Sequence, residues 1–265
     1  MSRSFTARVL LRGEDSGGAI ALVEVSVPPR WEGPPLHHHV FDEGFHVLEG
    51  ELTFQLGDDL RTGTPGTFAF ARGGAVHTLA NLGDAPARYL LVITPAGFEG
   101  YFDRSAAAGP VPETIVVGTP IDPSAGGRAE PLPAPGAGIN VLVRGADSDG
   151  RVGLMDNHVG PNAGPPLHFH DFDEAFYVVD GELTFQLGDE RGVRGPGELA
   201  FARRGVQHTF ANLSGADGRT LIICTPAGFE RYFQRMAARG AGVDPPPEAL
   251  EPWPEVTKVG PALAP

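Results

Sequence analysis

The sequence predicts an all-β protein that consists of two tandem domains of the same fold. Three observations support this prediction. Residues 33–103 align with residues 164–234 without a gap, and 43 of the 71 positions are identical. The 265 residues include 37 glycines and 26 prolines, so turns are frequent and long helices are disfavoured. Short apolar or alternating segments lie between the turns, which is typical of sandwiches and barrels.

The repeat places one domain in residues 1–118 and the other in residues 139–265. A unit of this size can bury a core of its own. Residues 119–138 lie between the two copies and are rich in Pro, Gly and Ala, a composition typical of a linker. The final stretch of the second domain is also rich in proline, and we expect it to wrap the surface of that domain.

Each unit is predicted to contain the same strands in the same order, separated by turns. In the first unit the predicted strands are residues 7–12, 19–27, 43–54 with a turn at Gly50, 66–71, 77–81 and 89–93.

A short helix is expected after the last strand of each unit. Thr94 could cap this helix, and Pro95 suits its first position. Phe98, Tyr101 and Phe102 then share one face at the spacing i, i+3 and i+4. We expect this face to pack against the outside of the barrel, the alternative being a lid over an active site.

Charge and composition exclude several classes of protein. The net charge of −13 argues against nucleic acid or an anionic membrane as a partner. No run of about 18 apolar residues is present for a membrane span, and the first residues lack the apolar core of a secretory signal. A single cysteine excludes an internal disulfide. We therefore predict a cytoplasmic location.

Six of the nine histidines occupy matched positions in the two units. Side chains two residues apart on a strand point to the same side, so His37 and His39 can converge on one point. In the copy, the residue between the two histidines is Phe169, so we expect His38 to point away. The matched histidines are His37, His39 and His77 in the first unit, and His168, His170 and His208 in the second.

Two glutamates, Glu43 and Glu174, follow the histidine pairs at identical spacing. Glu43 shares strand parity with Phe45 and Val47, so it should face the core, where an ionised carboxylate is costly unless paired or bound to metal. Three imidazoles and one carboxylate suit a first-row divalent metal with an open position. The predicted ligands are His37, His39, Glu43 and His77 in one unit, and His168, His170, Glu174 and His208 in the other.

These residues resemble the two signature motifs of the cupin superfamily. The pattern G-x3-H-x-H-x3-E-x6-G begins at Gly33 and Gly164, and G-x7-G-x2-H-x3-N begins at Gly66 and Gly197. The resemblance covers both units and implies a bicupin, that is, two jelly-roll β-barrels. The usual proline of the second motif is an arginine in both copies, and the spacing before the first histidine is shorter by two. Neither departure changes a ligand.

The segments GPPLHxHxFDE and TPAGFExYF are similar to the quercetin 2,3-dioxygenase-like branch of that superfamily. This resemblance implies Fe, Mn, Co, Ni or Cu at each site, and an aromatic or enolic small molecule, such as a flavonol, that is cleaved by O2. In this hypothesis the enolic hydroxyl binds the metal, which lowers its pKa. Glu43 or Glu174 then takes the proton as the catalytic base.

Two other functions remain open. A non-redox cupin isomerase, cyclase or lyase would use the metal as a Lewis acid, for which Zn suffices. A non-catalytic bicupin would bind metal or a small molecule without turnover. Bicupin oxalate decarboxylases are less favoured, since no arginine is clearly placed to hold a small dicarboxylate. A homodimer is compatible with each alternative.

Five other residues are interpreted as structural. His46 shares parity with the residue beside Glu43 rather than with Glu43, so it should pack away from the metal. His158 could line the second pocket, but we expect it to face solvent or to pack. Cys224 is expected to serve as a small buried hydrophobe. Arg72 and Arg203 are expected at turns on the barrel rim.

Overall fold

The structure is a computed structural model, and it describes residues 5–102, 112–122, 129–132, 136 and 138–264. Contacts divide the chain into two units, residues 1–135 and 136–265. Within the described ranges, no helix is long and apolar enough to span a membrane.

The described residues of the first unit form short strands and a turn of 3-10 helix, Phe98–Tyr101. Its strands are β1 (Thr6–Leu11), β2 (Ala21–Val27), β3 (His37–His38), β4 (Asp42–Glu49), β5 (Leu52–Leu56), β6 (Asp59–Gly63), β7 (Phe68–Ala71), β8 (His77–Ala80), β9 (Ala87–Thr94), β10 (Ile115–Val116) and β11 (Glu130–Pro131).

Two sheets enclose the core of this unit. One has the order β1-β2-β9-β4-β7, and the other has the order β10-β3-β8-β5-β6-β11. Alternation along β2 directs Val23 and Val25 inward, where they join Phe45 from the same sheet and Phe54 and Leu79 from the facing sheet. Apolar side chains from both sheets form one cluster, so the two sheets pack face to face.

The second unit repeats this plan. Its strands are β12 (Ile139–Val143), β13 (Gly153–Val159), β14 (Pro166–His170), β15 (Asp173–Asp180), β16 (Leu183–Leu187), β17 (Glu190–Arg194), β18 (Leu199–Ala202), β19 (His208–Ala211), β20 (Gly218–Thr225) and β21 (Val256–Ala262). They form the sheets β12-β13-β20-β15-β18 and β17-β16-β19-β14-β21. The predicted all-β fold with two tandem domains is confirmed.

The segments after β9 and β20 differ from the predicted helices in where they start. Thr94 is not a helix cap, because it ends β9 and its hydroxyl donates to the carbonyl of Ala19 at 3.0 Å. The helical turn begins only after Gly97, and the corresponding helix of the second unit is α1 (Glu230–Ala241). In the first unit Phe98, Tyr101 and Phe102 of this turn line a cavity and Tyr101 is exposed, so the choice between packing on the outside of the barrel and a lid stays a prediction.

Buried carboxylates explain where both helical segments begin. Glu99 accepts hydrogen bonds from the backbone N–H of Gly13 at 2.9 Å and of Gly97 at 2.6 Å. Glu230 accepts the matched bonds from Gly145 and Gly228 at the same distances. Each carboxylate therefore fastens the start of a helical segment to the loop that precedes the second strand of its unit.

The predicted linker, residues 119–138, is described only in part. Residues 123–128, 133–135 and 137 lie outside the described residues. Glu130 and Pro131 form β11, which runs parallel to β6 opposite Arg61 and Thr62. Part of the linker sequence therefore extends a sheet of the first unit, and the exact domain boundaries stay a prediction.

Candidate metal centres

The four candidate ligands of the first unit converge inside the barrel. His37 lies on β3, His39 directly follows that strand, Glu43 lies on β4 and His77 on β8. His37 and His77 face each other across the β3–β8 pair, with ring centroids 4.6 Å apart. One ligand atom from each of the four side chains lies within 4.8 Å of the others. All four residues are buried, with at most 7% of their surface exposed.

The second unit builds the same cluster. His168 on β14 pairs with His208 on β19, and His170 ends β14. Glu174 lies on β15. The four ligand atoms again lie within 4.8 Å of one another, and the four residues are buried. The structure therefore brings all eight predicted site residues together in two clusters.

Backbone carbonyls fix the protonated nitrogen of all six histidines in the two clusters. A carbonyl oxygen only accepts hydrogen bonds, so Nδ1 must donate the proton, and the neutral ring then presents a lone pair at Nε2. The carbonyl partners and distances are Pro35 at 2.7 Å for His37, Phe41 at 2.8 Å for His39, Ala75 at 2.9 Å for His77, Pro166 at 2.8 Å for His168, Phe172 at 2.9 Å for His170 and Val206 at 2.8 Å for His208.

The carboxylates lie where these lone pairs point. Oε2 of Glu43 is 3.0 Å from Nε2 of both His39 and His77. Oε2 of Glu174 is 3.0 Å from Nε2 of both His170 and His208. Two acceptors at this distance repel each other unless a proton or a cation lies between them. A divalent metal would satisfy all four donors of each cluster, so the residues fit such an ion.

The pKa shifts of the glutamate and of the first histidine in each cluster favour the protonation states that bind metal. Burial alone would raise the pKa of Glu43, but the hydrogen bonds and positive charge that His39 and His77 would supply when protonated outweigh it and lower the pKa to about 2. The pKa of Glu174 is lowered to about 2 in the same way. Burial is the main cause that lowers the pKa of His37 and of His168, which favours neutral imidazole.

His208 differs from these histidines. Burial lowers its pKa, but the hydrogen bond with Glu174 outweighs burial, and the net pKa is raised. A proton therefore competes more strongly for this nitrogen than for that of His168 in the same cluster.

The first glycine of each motif allows a close approach of two backbone segments. A Cβ on Gly33 would lie 1.7 Å from the carbonyl oxygen of Leu79, and its φ is +74°. A Cβ on Gly164 would lie 2.1 Å from the carbonyl oxygen of Phe210. Only glycine fits here, and it lets the segment before each histidine pair lie against the strand that carries the third histidine.

Sequence reasoning missed an aromatic ring beside each cluster. Phe41 stacks on His39 with ring centroids 3.6 Å apart, and Phe172 stacks on His170 at 3.5 Å. Both phenylalanines are fully buried and hold the imidazole plane in place. Their identical position in the two copies was the signal that could have identified them.

Several motif residues are structural rather than ligating. The side chain of Asn81 donates to the carbonyls of Pro28 and Ala85, so it ties two loops together. Arg72 and Arg203 are exposed turn residues, as predicted. His46, three residues after Glu43, is fully buried but is not part of the cluster, in agreement with the expected packing role.

Two residues of the second unit lie closer to the site than the sequence indicated. Cys224 is buried, as expected, but its thiol also lies 3.9 Å from Oε1 of Glu174, because β15 and β20 pair these two residues. Burial raises the pKa of this thiol, so it stays protonated and donates. His158 lines the cavity beside the cluster, and its side chain is 41% exposed, in agreement with the expectation that it faces solvent.

Each cluster forms part of the wall of a cavity. The first cavity has a volume of about 620 Å³ and includes His37 and Glu43 in its wall. The second has a volume of about 580 Å³ and includes His168 and Glu174. Both volumes lie in the range of small-molecule sites, roughly 300–1,000 Å³. The aromatic lining residues include Trp31, Phe45, Tyr89 and Phe98 in the first cavity, and Phe176, Phe210, Phe229 and Trp253 in the second.

Comparisons with known proteins agree with this architecture. A family model for the cupin domain matches residues 23–93 and 156–224. No curated protein gives a significant sequence match.

Among solved structures, an oxalate decarboxylase from Lactobacillus farciminis, in complex with formate, is 13% identical with a TM-score of 0.59, covering 93% of this chain and 91% of that one. A putative glyoxylate-induced protein from Pseudomonas aeruginosa is 18% identical with a TM-score of 0.59, covering 83% and 79%. An oxalate decarboxylase from Bacillus subtilis, described for its Mn(II) centres, is 14% identical with a TM-score of 0.59, covering 98% and 86%. At these identities the likeness shows the fold alone.

Proposed function

This chain belongs to the cupin family, with one matched domain in each unit, and from this premise we propose that it is a metal-dependent dioxygenase of small aromatic or enolic molecules. Its two clusters are proposed to hold a divalent transition metal each. The ligands would be His37, His39, Glu43 and His77 in one unit, and His168, His170, Glu174 and His208 in the other.

The observation that carries the proposal is the position of each cluster in the wall of an aromatic cavity. In the first unit, Phe45 and Phe98 line the cavity that His37 and Glu43 also line. A planar aromatic ligand can pack against such walls while one polar group reaches the cluster. A purely structural metal site is typically closed and would not open onto a cavity of this size.

In this proposal the histidines and the glutamate of each cluster hold the metal, and the glutamate also accepts a proton. A divalent transition metal, when bound, would acidify a coordinated hydroxyl and supply redox chemistry. Three Nε2 atoms and the Oε2 atom of Glu43 hold the site, which leaves Oε1 of Glu43 as the atom that can take a proton. A carboxyl group with a pKa of about 2 is a weak base. Glu43 therefore accepts a proton only from a strongly acidified hydroxyl.

Oxalate decarboxylation is less favoured for this chain, although two of the structural neighbours are oxalate decarboxylases. Among the described residues, no arginine lines either cavity, so neither holds the bidentate partner expected for a small dicarboxylate. The Mn(II) centres of one neighbour make manganese a metal to test first. A cytoplasmic location and a homodimer stay predictions from the sequence.

Metal analysis combined with oxygen uptake tests the proposal. Protein purified without chelator should contain two equivalents of a redox metal, and the metal-loaded protein should consume O2 when quercetin is added. Turnover of a substrate without oxygen uptake by a zinc-containing protein would instead support an isomerase, cyclase or lyase. Stoichiometric metal without any turnover would support a binding protein.

A further inference from the structure

One pair of facing positions differs between the two cavities. On β2 and β9 of the first unit, Val25 pairs with Tyr89. On β13 and β20 of the second unit, the same place in the sheet pairs Asn157 with Thr220. The polar side chain that lines the cavity is thus Tyr89 on β9 in the first unit and Asn157 on β13 in the second.

Tyr89 presents a hydroxyl to the first cavity. The residue is 4% exposed, lines the cavity and packs against Phe45 with ring centroids 6.0 Å apart. Its hydroxyl has no hydrogen-bond partner among the residues that the structure describes. Burial raises its pKa, and the nearby Glu43 carboxylate raises it further, so the hydroxyl stays protonated and can donate.

Asn157 presents an amide to the second cavity. The residue is 7% exposed and lines the cavity, and its side chain has no hydrogen-bond partner within the described part of the chain. Thr220 does not take over the role of Tyr89, because its hydroxyl already donates to the carbonyl of Tyr177 at 3.0 Å. Asn157 is therefore the polar group that this pair of positions offers to a ligand.

Polar groups with this degree of burial are nearly always hydrogen-bonded. The hydroxyl of Tyr89 and the amide of Asn157 are not among the fully enclosed unpaired polar atoms of the described residues, so they open onto the cavities, where a ligand can complete their hydrogen bonds. The two groups differ in chemistry. A phenol offers one hydrogen and one oxygen on a rotating bond, whereas a carboxamide offers a donor and an acceptor side by side.

We propose that Tyr89 and Asn157 contact the ligand and give the two cavities different selectivity. Tyr89 binds a single hydroxyl or carbonyl oxygen of the ligand. Asn157 binds an adjacent donor and acceptor, as in the two hydroxyls of a catechol. This inference rests on the proposed binding of an aromatic molecule at the metal clusters.

The two tryptophans of the chain allow each cavity to be observed separately. Trp31 lines the first cavity and Trp253 lines the second. In Trp253→Phe protein the remaining fluorescence reports on the first cavity, and in Trp31→Phe protein it reports on the second. Both backgrounds are loaded with Mn²⁺ and titrated under nitrogen with galangin, kaempferol and quercetin, which carry zero, one and two hydroxyls on the phenyl ring that lacks the enolic hydroxyl.

The expected pattern differs between the cavities. The first cavity should bind kaempferol and quercetin about tenfold more tightly than galangin, and Tyr89→Phe should remove this preference. The second cavity should prefer quercetin over kaempferol by a similar factor, and Asn157→Leu should remove that preference. Each variant is the control for the other cavity, where it should change nothing. The double exchange Val25→Asn with Tyr89→Thr should give the first cavity the preference of the second.

Unchanged dissociation constants in both Tyr89→Phe and Asn157→Leu would overturn the inference, and so would a failure of all three flavonols to bind. Because binding is measured without O2, the outcome is separate from that of the proposed function. Flavonol binding with the expected preferences but without oxygen uptake in air would refute the dioxygenase and leave the inference standing. Flavonol turnover with unchanged selectivity in the variants would do the reverse.

Discussion

The two units match closely at the ligand clusters and differ in the walls around them. In both units, two Nε2 atoms lie 3.0 Å from the same carboxylate oxygen, and every Nδ1 donates to a backbone carbonyl. Around this common centre, the residue paired with the glutamate is Ile93 in one unit and Cys224 in the other. The residue paired with the first histidine is Val116 in one and Lys258 in the other.

The comparison of the two units separates metal preference from ligand selectivity, which could not be distinguished in a protein with a single domain. Matched donors predict that both units hold the same metal, since donor type and geometry decide metal preference. Unmatched walls predict that the units take different ligands, since the walls decide which molecule fits. The following experiments test whether the two clusters are equivalent in metal binding and whether the cavities around them differ.

The largest effect is expected when the glutamates are changed one at a time. Glu43→Gln and Glu174→Gln each remove the carboxylate charge and the proton acceptor of one unit. Each should lower the turnover of that unit about 100-fold or more, and the double variant should be inactive. Steady-state rates with metal content measured in parallel would show this.

The exposed glutamates Glu51 and Glu182 provide matched controls. Their replacement by glutamine should leave turnover unchanged. Full activity in the double variant Glu43→Gln with Glu174→Gln would contradict the assigned role. Loss of activity in only one of the two single variants would show that the two units do not contribute equally to turnover.

Metal removal is expected to destabilise both units to a similar degree. A metal present at 100 times its dissociation constant stabilises the folded state by about 2.7 kcal/mol. Thermal unfolding of the two single-tryptophan variants, with and without chelator, should therefore show a drop in both transitions. Unfolding curves that do not respond to chelator would contradict the presence of metal. A drop confined to one transition would show that only one cluster binds it.

A smaller effect is expected at the carboxylates that fasten the helical segments. Glu99→Gln and Glu230→Gln each replace one of the two accepting oxygens by an amide NH2, which leaves one backbone N–H without an acceptor and should cost about 2 kcal/mol. The cost should be greater for Glu230, because it also begins the 12-residue helix α1, where a negative charge is favourable. Denaturant unfolding would measure both, with exposed Glu14→Gln as control. Equal stability of all three variants would refute this role.

The smallest effect is expected from exchanging the residues that face the glutamates. Cys224→Ile and Ile93→Cys should each lower the free energy of unfolding by about 1.5 kcal/mol, because both positions are fully buried and the two side chains differ by about two carbon atoms. A loss of more than about 3 kcal/mol in Cys224→Ile would mean that the thiol contact with Glu174 carries more of the site than its 3.9 Å distance indicates.

The sequence predicted the all-β tandem fold and the residues of both clusters because two kinds of information coincided. Strand periodicity placed His37 and His39 on one side, and the copy showed that His38 is dispensable. The binding of metal by these residues stays a prediction.

Features that depend on pairing between distant strands could not be predicted. Thr94 has the local pattern of a helix cap, but its pairing with Asp42 continues β9 through it. The distance between Cys224 and Glu174 likewise follows from the register of β15 with β20, which no local pattern records. The same holds for the pair of Asn157 and Thr220.

The pairing of β21 with β14 also sets an order of events during synthesis. The strand that pairs with His37 is complete at Val116, whereas the strand that pairs with His168 runs to Ala262. Domains generally fold as units while the chain leaves the ribosome. The first centre can therefore assemble while half of the protein is still untranslated, but the second lacks its edge strand until residues 256–262 emerge. The nascent chain acquires its two centres in sequence rather than together.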